Sequence, residues 1–550
     1  MPADDLRALI AKFNWAQGIR ATGTLAAISA NSPDAKRRWS SDALQGELTG
    51  LGPASDAVAD FLRRNPSRPI AHDEGLLVLQ SLFALHGAEG PGLQPTPARI
   101  SHLLLALNDH IGIWTRDEGL SRQERALAST ARATRFDRCE DLVREIARAE
   151  GLFGRAPFAG PLSGDGVWSS FTEGALRSTV AEFVDRRLLP LALLSLMWGL
   201  ESDPSWYFPL IREESWWQTS GAGDSFKTFA EDVAWTREEL KAVLGTTNNT
   251  QLPVGTGHFF RKPFVAMPEG DLVAVSPGAV RWTLRAAIWS RCLERAKSTV
   301  KGGAEAWFSA FGYLAEDWCR DAARLAKTEG LSDELILSDN PGSHDEIADI
   351  VLAAGDRVVL VSVKSRMMRA DVIRSAESSK AIVDWYERFF FDQKRDGHRA
   401  ESFWQLQQTI ERVRSGEFIS RGLKRDSRIY PLLVSYDDIG DHPGLYPWLR
   451  DRCRHHGVFQ AHHVAPPVVC NIADFELLLA AGVKKHGAVS LLHRKTRPEL
   501  QDVPLQVALR HLTRHGLPRL RGLEARYEEI TERAQQRLFG RVLRTEGEIS

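Results

Sequence analysis

The stretch SHDEIADIVLAAGDRVVLVSVKSRMMRADVIRSAE, residues 343–377, decides how the chain is read. A strand carrying Asp349 leads into a turn at Gly355-Asp356. A β-rich strand follows and ends in Ser362-Val363-Lys364, and a helix carrying Glu377 comes next. Side chains alternate faces along a strand, so Ser362 and Lys364 point the same way. Charged groups at the ends of two paired strands serve a hydrophobic core poorly and a metal site well.

Working outward, a helix is expected over 304–327, a short strand over 334–338, then the Asp349 and Lys364 strands. Helical stretches at 370–391 and 400–413 precede a strand at 429–436. That order is a mixed α/β core. Beyond it, 464–470 reads as a strand and 473–481 as a helix. The last 50 residues read as a helical tail whose interleaved Arg and Glu suit a solvated face. Upstream, residues 1–250 read as mostly helical, with helix-like apolar spacing at 181–200 and 226–244. Gly/Pro/Ser punctuation falls at 50–55, 91–97 and 160–166. Trp206, Trp216, Trp217 and Trp235 read as the aromatic core of that half in preference to a base-stacking surface. Two β-rich runs, 259–266 and 272–275, flank Pro268-Glu269-Gly270-Asp271 as a hairpin, and a helix follows over 279–296. Lys301-Gly302-Gly303 marks a domain boundary. The layout is a helical domain (1–250), a hairpin-plus-helix connector (251–300), an α/β domain (301–440), a small α/β extension (441–500) and a helical tail (501–550).

At 550 residues the chain exceeds one core. With 43% hydrophobic and 26% charged residues it has ordinary globular composition, and a net charge of −1 confines any polyanion-binding surface to a local patch. The five cysteines form no CxxC pair and fit a reducing compartment. The acidic, amphipathic N-terminus is no signal peptide, and the longest apolar run, 188–200, falls short of the roughly 20 residues a span requires. A cytoplasmic protein without a membrane partner is expected.

Phosphodiester hydrolysis requires charge stabilisation on phosphorus and a hydroxide nucleophile. Mg²⁺ supplies both when one or two carboxylates hold it. A neighbouring lysine orients or deprotonates the water. At these residues the chain resembles the PD-(D/E)xK, or restriction-endonuclease-like, nuclease superfamily, over about 304–436 and in its αβββαβ element order. The resemblance implies that Asp349, in EIADIVL, is the first acid and that Lys364, in VLVSVKSR, is the motif lysine. It also implies that Glu316, in FGYLAEDW, is the helix glutamate that adds to the metal site. Ala348 replaces the motif proline, and Ser362 replaces the second acid.

Serine is a poor Mg²⁺ ligand. A subset of the superfamily with SxK takes its missing carboxylate from the following helix, about a dozen residues past the lysine, which is where Glu377 lies. Ile373 and Ala381, four residues to either side, put Glu377 beside an apolar stripe. Glu346 is an alternative second acid that needs a bulge, and Asp345 has the right parity at the strand's start. Gln405, Gln407 and Gln408 stand where related nucleases place a polar group near the phosphate. The resemblance thus implies a Mg²⁺-dependent endonuclease, with Mn²⁺ as a substitute. Its implied substrate is DNA in preference to RNA, its implied role defence against foreign DNA, and its implied partners a second copy or a defence-system protein. The alternatives are a catalytically inactive relative that binds nucleic acid or scaffolds a complex, with Ser362 as the relic of lost activity, and an RNA-directed nuclease that uses the same site.

Asp349 with Lys364 as a structural ion pair, and Glu377 or Glu316 as plain helix-surface residues, are the readings against which this site is weighed. Cys453, His455, His456, His462, His463 and Cys470 hold zinc-type ligands but lack paired spacing, and read as surface histidines with a buried cysteine.

Overall fold

The computed structural model describes most of residues 3–31, 73–107, 119–128, 142–192, 210–211, 226–245, 256–338, 347–367, 379–392, 402–439, 444–484, 487–513 and 517–539. Glu377, Glu346, Asp345, Cys139, Trp206, Trp216 and Trp217 lie outside them.

Five strands form the larger sheet: β5 (Glu334–Ile336), β6 (Ile350–Ala354), β7 (Arg357–Lys364), β8 (Arg428–Ser435) and β9 (Val468–Asn471), in that spatial order. β5, β6 and β7 run antiparallel, whereas β8 and β9 are parallel to β7. The two-residue turn at Gly355-Asp356 forces β6 and β7 into a hairpin, and Gly355 takes the positive φ of 66° that such a turn demands. β7 is continuously apolar from Val358 to Val361 and buried throughout, as a strand covered on both faces must be. Helices Gly303–Thr328, Ser402–Ser415 and Ala488–Lys495 all pack on it. The fold is therefore mixed α/β, with helices predominating.

The N-terminal half is less purely helical than expected. Two short strands, β1 (Leu210–Ile211) and β2 (Ala234–Trp235), join the hairpin β3 (Phe264–Ala266) and β4 (Leu272–Ala274) in a sheet ordered β1-β4-β3-β2. The expected 226–244 helix is accordingly split into Phe226–Val233 and Arg237–Gly245. The second piece starts at a capping box: Thr236 Oγ1 accepts from Glu239 N (3.2 Å) and the Glu239 carboxylate accepts from Thr236 N (2.9 Å). The Trp235 indole donates to the His258 carbonyl at 3.1 Å, and the ring is buried, a core residue as expected. The first hairpin run is shorter than expected because Gly257–Phe260 forms a 3₁₀ turn.

The break at 301–303 is a tight corner between two long helices, Pro277–Thr299 and Gly303–Thr328, that pack together through Trp289 and Phe311. Gly302 and Gly303 both have positive φ there. One buried cluster of apolar side chains runs from the first helix to the tail.

Behind the sheet lies a buried polar hub. The Arg148 guanidinium donates to both Glu476 oxygens, at 3.0 and 2.8 Å, and to Glu145 at 3.0 Å. The Trp318 indole (2.8 Å) and the Tyr527 hydroxyl (3.1 Å) also donate to Glu476. Helices from the N-terminal half, the sheet domain and the tail thus meet on one carboxylate. Burial pushes the Tyr527 hydroxyl well above its usual range, with the Glu476 charge adding to the effect.

Lys495 is buried with no carboxylate beside it among the described residues. Its ammonium donates to the Gln501 carbonyl at 3.0 Å and lies 4.4 Å from the Tyr446 ring centre. Burial, with Arg450 nearby, lowers its pKa to about 7. The unfolded chain binds that proton up to about pH 10.4, so this residue's contribution to stability rises with pH between about 7 and 10. Lys495→Met is expected to stabilise the protein at pH 7 by no more than about 4 kcal/mol, with the gain shrinking towards pH 10. Chemical denaturation at several pH values checks this, and a gain independent of pH would contradict it.

Candidate active site

Asp349 sits one residue before β6 and not within it, a correction to the sequence expectation. The β6–β7 register pairs Ile350 with Val361, so one further step sets Asp349 opposite Ser362. Opposed residues of an antiparallel pair share a face. Asp349, Ser362 and Lys364 therefore share one face at one end of the sheet.

The pairing stops at Ile350 because the Asp349 side chain takes over the ladder. Its Oδ2 accepts from the Val363 backbone N–H at 2.5 Å, replacing the acceptor that β6 no longer provides. One carboxylate oxygen is thereby fixed, and Oδ1 makes no hydrogen bond among the described residues. On the other side, Tyr436 N donates to the Lys364 carbonyl at 3.0 Å. Arg285 donates to the Tyr436 carbonyl at 2.5 Å, so the 277–299 helix braces the same strand end. The backbone of Lys364 is held from both flanks.

The Lys364 ammonium is half-buried and donates to Gln405 Oε1 at 2.5 Å. Among the described residues it makes no ion pair, and Asp349 makes none either, so the two are not a structural salt bridge. An amide partner orients a cation without neutralising it. Of the three candidate glutamines only Gln405 reaches the site. Gln407 accepts from Phe459 N (2.8 Å) and donates to Glu411 (2.8 Å), while Gln408 is exposed. Positions 405 and 407 lie about 200° apart around a helix, which separates them.

Glu316 lies on the Gly303–Thr328 helix, which passes the end of β7: a Cβ on Gly312 would lie 3.6 Å from Ser365 Oγ. Glu316 Oε1 is 2.7 Å from the guanidinium of Arg320, which is almost completely buried. Its negative charge therefore balances that cation, whatever else it does. Burial pushes the Cys319 thiol far up, and the charges of Glu476, Asp349 and Glu316 add to the effect while Arg148 opposes it. Ser362 is buried within β7.

Among the described residues, no three His, Cys, Asp or Glu side chains come together to hold a metal ion. Mg²⁺ requires fewer protein ligands, one or two carboxylates with water and phosphate completing its shell. The oxygen-only donors here, with Oδ1 of Asp349 uncommitted, suit that ion and not zinc. The His/Cys group does not gather either. His456 Nε2 meets Glu387 at 2.6 Å and stacks on Phe391, and Cys453 and Cys470 are buried thiols.

No protein-family model, no curated protein and no solved structure matches this chain. None of the described helices is long and apolar enough to cross a membrane.

Proposed function

We propose that the protein is a metal-dependent nuclease of the PD-(D/E)xK type, acting on DNA in a defence role. The observation that carries the reading is the pairing of Asp349 and Lys364 on one face of one sheet end, each held in place and neither neutralising the other. The order helix, three antiparallel strands, helices, parallel strand supports the finer fold assignment.

In this reading Asp349 would hold Mg²⁺, Glu377 would supply the acid that Ser362 lacks, and Glu316 would lend charge from the helix. The ion, when bound, lowers the pKa of its water and offsets charge on the phosphate. Lys364 would orient the attacking water by hydrogen bonding and place positive charge beside the phosphate. Gln405 keeps the lysine aimed and gives it up to the phosphate without loss of an ion pair.

The test is incubation of plasmid DNA with the protein and Mg²⁺ or Mn²⁺. Cleavage is expected, with loss in EDTA and in Asp349→Asn and a reduction of about 10³-fold or more in Lys364→Ala. Cleavage that survives both substitutions would remove this site. Glu377→Gln is expected to abolish cleavage as fully as Asp349→Asn, and an active Glu377→Gln would take that residue out of the mechanism. A non-cleaving nucleic-acid binder is the rival, favoured by Ser362 and by the commitment of Glu316 to Arg320. Failure to cut DNA or RNA of any form with either metal supports it.

A further inference from the structure

At the opposite end and on the opposite face of the same sheet lies a second polar cluster, which the catalytic reading does not use. β7 and β8 begin side by side with Arg357 directly opposite Arg428, and Arg428 N donates to the Asp356 carbonyl at 2.7 Å. In a parallel pair such residues share a face. Like charges set opposite one another on neighbouring strands destabilise a sheet.

Among the described residues, Arg357 approaches a carboxylate only at 4.0 Å, from the exposed Asp356. Among the described residues, Arg428 and Arg497 make no ion pair. Two residues along β8, Tyr430 lies beneath the Arg428 guanidinium (6.0 Å) and shares a hydrogen bond with His493 Nδ1 at 2.8 Å. That bond ties the 488–495 helix, which carries Arg494 in its last turn and is followed by Arg497, to the strand start. Burial lowers the pKa of His493, and Arg357, Arg428 and Arg497 lower it further, against Asp356 alone on the other side. The excess positive field at this spot is thus felt by a neighbouring group. Lys424 and Arg425 are exposed on the turn that feeds β8, beside Asp426.

We propose that Arg357, Arg428 and Arg497 form a docking surface for the phosphodiester backbone of a nucleic acid, separate from the catalytic groups. Guanidinium groups pair bidentately with phosphate. Two of these three are carried on rigid strand ends about 4.8 Å apart, close enough to serve one phosphate or two successive ones. β7 separates them from Lys364 by seven residues, or roughly 23 Å. The choice of a nucleic acid as occupant rests on the nuclease reading, but the surface itself does not.

The test is binding of a labelled 30-nucleotide DNA, single-stranded and duplex, to the full chain in EDTA, so that cleavage plays no part. The triple variant Arg357→Ala/Arg428→Ala/Arg497→Ala is expected to bind at least about 10-fold more weakly near 0.1 M salt. The slope of log affinity against log salt is expected to fall by about 2–3, close to one per lost phosphate contact. If the triple variant loses its thermal transition, the single changes Arg357→Gln and Arg497→Gln serve instead, each lowering the slope by about one. Unchanged affinity and slope would overturn the proposal. So would a wild type that binds no nucleic acid at 50 mM salt, or displacement of the DNA by polyglutamate at equal charge. Arginine-dependent binding without cleavage by any metal would leave this surface standing and remove the nuclease reading. Cleavage with an unaltered salt slope would do the reverse.

Discussion

Lys364→Ala should reduce DNA cleavage by about 10³-fold or more while leaving the fold intact. In the proposed mechanism the lysine would supply two effects at once, an oriented water and positive charge at the phosphate, each worth about 10²–10⁴ in rate. The fold should survive because, among the described residues, its ammonium bonds only the Gln405 amide. Removing the charge strands one half-buried carbonyl and no buried ion. Lys364→Arg is expected to recover little, since a forked, permanently charged group cannot keep the same distance to Gln405 or release a proton. Asp349 separates structure from chemistry further. Asp349→Asn keeps an acceptor for Val363 N–H and should retain the thermal midpoint without activity. Asp349→Ala strands that N–H and should lose about 1–3 kcal/mol as well. Cleavage rates beside thermal melts of the four variants check all of this. Equal midpoints for Asn and Ala would show that the hydrogen bond does not hold the strand end.

Arg148→Met should cost about 3–5 kcal/mol of stability, because it leaves Glu476 charged and buried with only Trp318 and Tyr527 as donors. Glu476→Met should cost a similar amount for the converse reason. The double variant is expected to be much less destabilised than the sum, since a buried ion pair and an apolar pair of similar volume are often close in free energy. A double-mutant cycle by chemical denaturation measures the difference. Additive losses would mean that the two side chains do not act as a pair. As the partners come from the N-terminal half and from the sheet domain, a chain cut after residue 300 should not reassemble a sheet domain of native stability from its C-terminal part alone.

The large sheet was legible because its strands are continuous apolar runs bounded by turn residues, of which Val358 to Val361 after Gly355-Asp356 is the plainest. That Ser362 and Lys364 share a face followed from strand parity, which needs only their alternation along β7. The small sheet was not legible. β1 and β2 are two residues each, too short for any period, and β2 finds its partner β3 far along the chain. The Thr236–Glu239 capping box was the one local mark that the expected long helix was two. The choice among Gln405, Gln407 and Gln408 turned on helix rotation, which sequence alone does not set. Arg148 and Glu476, far apart in sequence, are ordinary helix residues until folding brings them together.

The strand that carries Lys364 acquires its neighbours at very different times. β6 is made just before β7, but β8 is not made until the ribosome has passed Arg428. Throughout that interval Val358 to Val363 is an open, apolar edge, the kind of segment on which unfinished chains aggregate. Arg357 and Lys364 stand at its two ends as charged gatekeepers, a service they give the nascent chain regardless of any ligand. Replacing either therefore acts on the yield of folded protein as well as on function. Lys364→Ala and Arg357→Ala should each lower the soluble fraction when expressed at 37 °C and recover it at lower temperature.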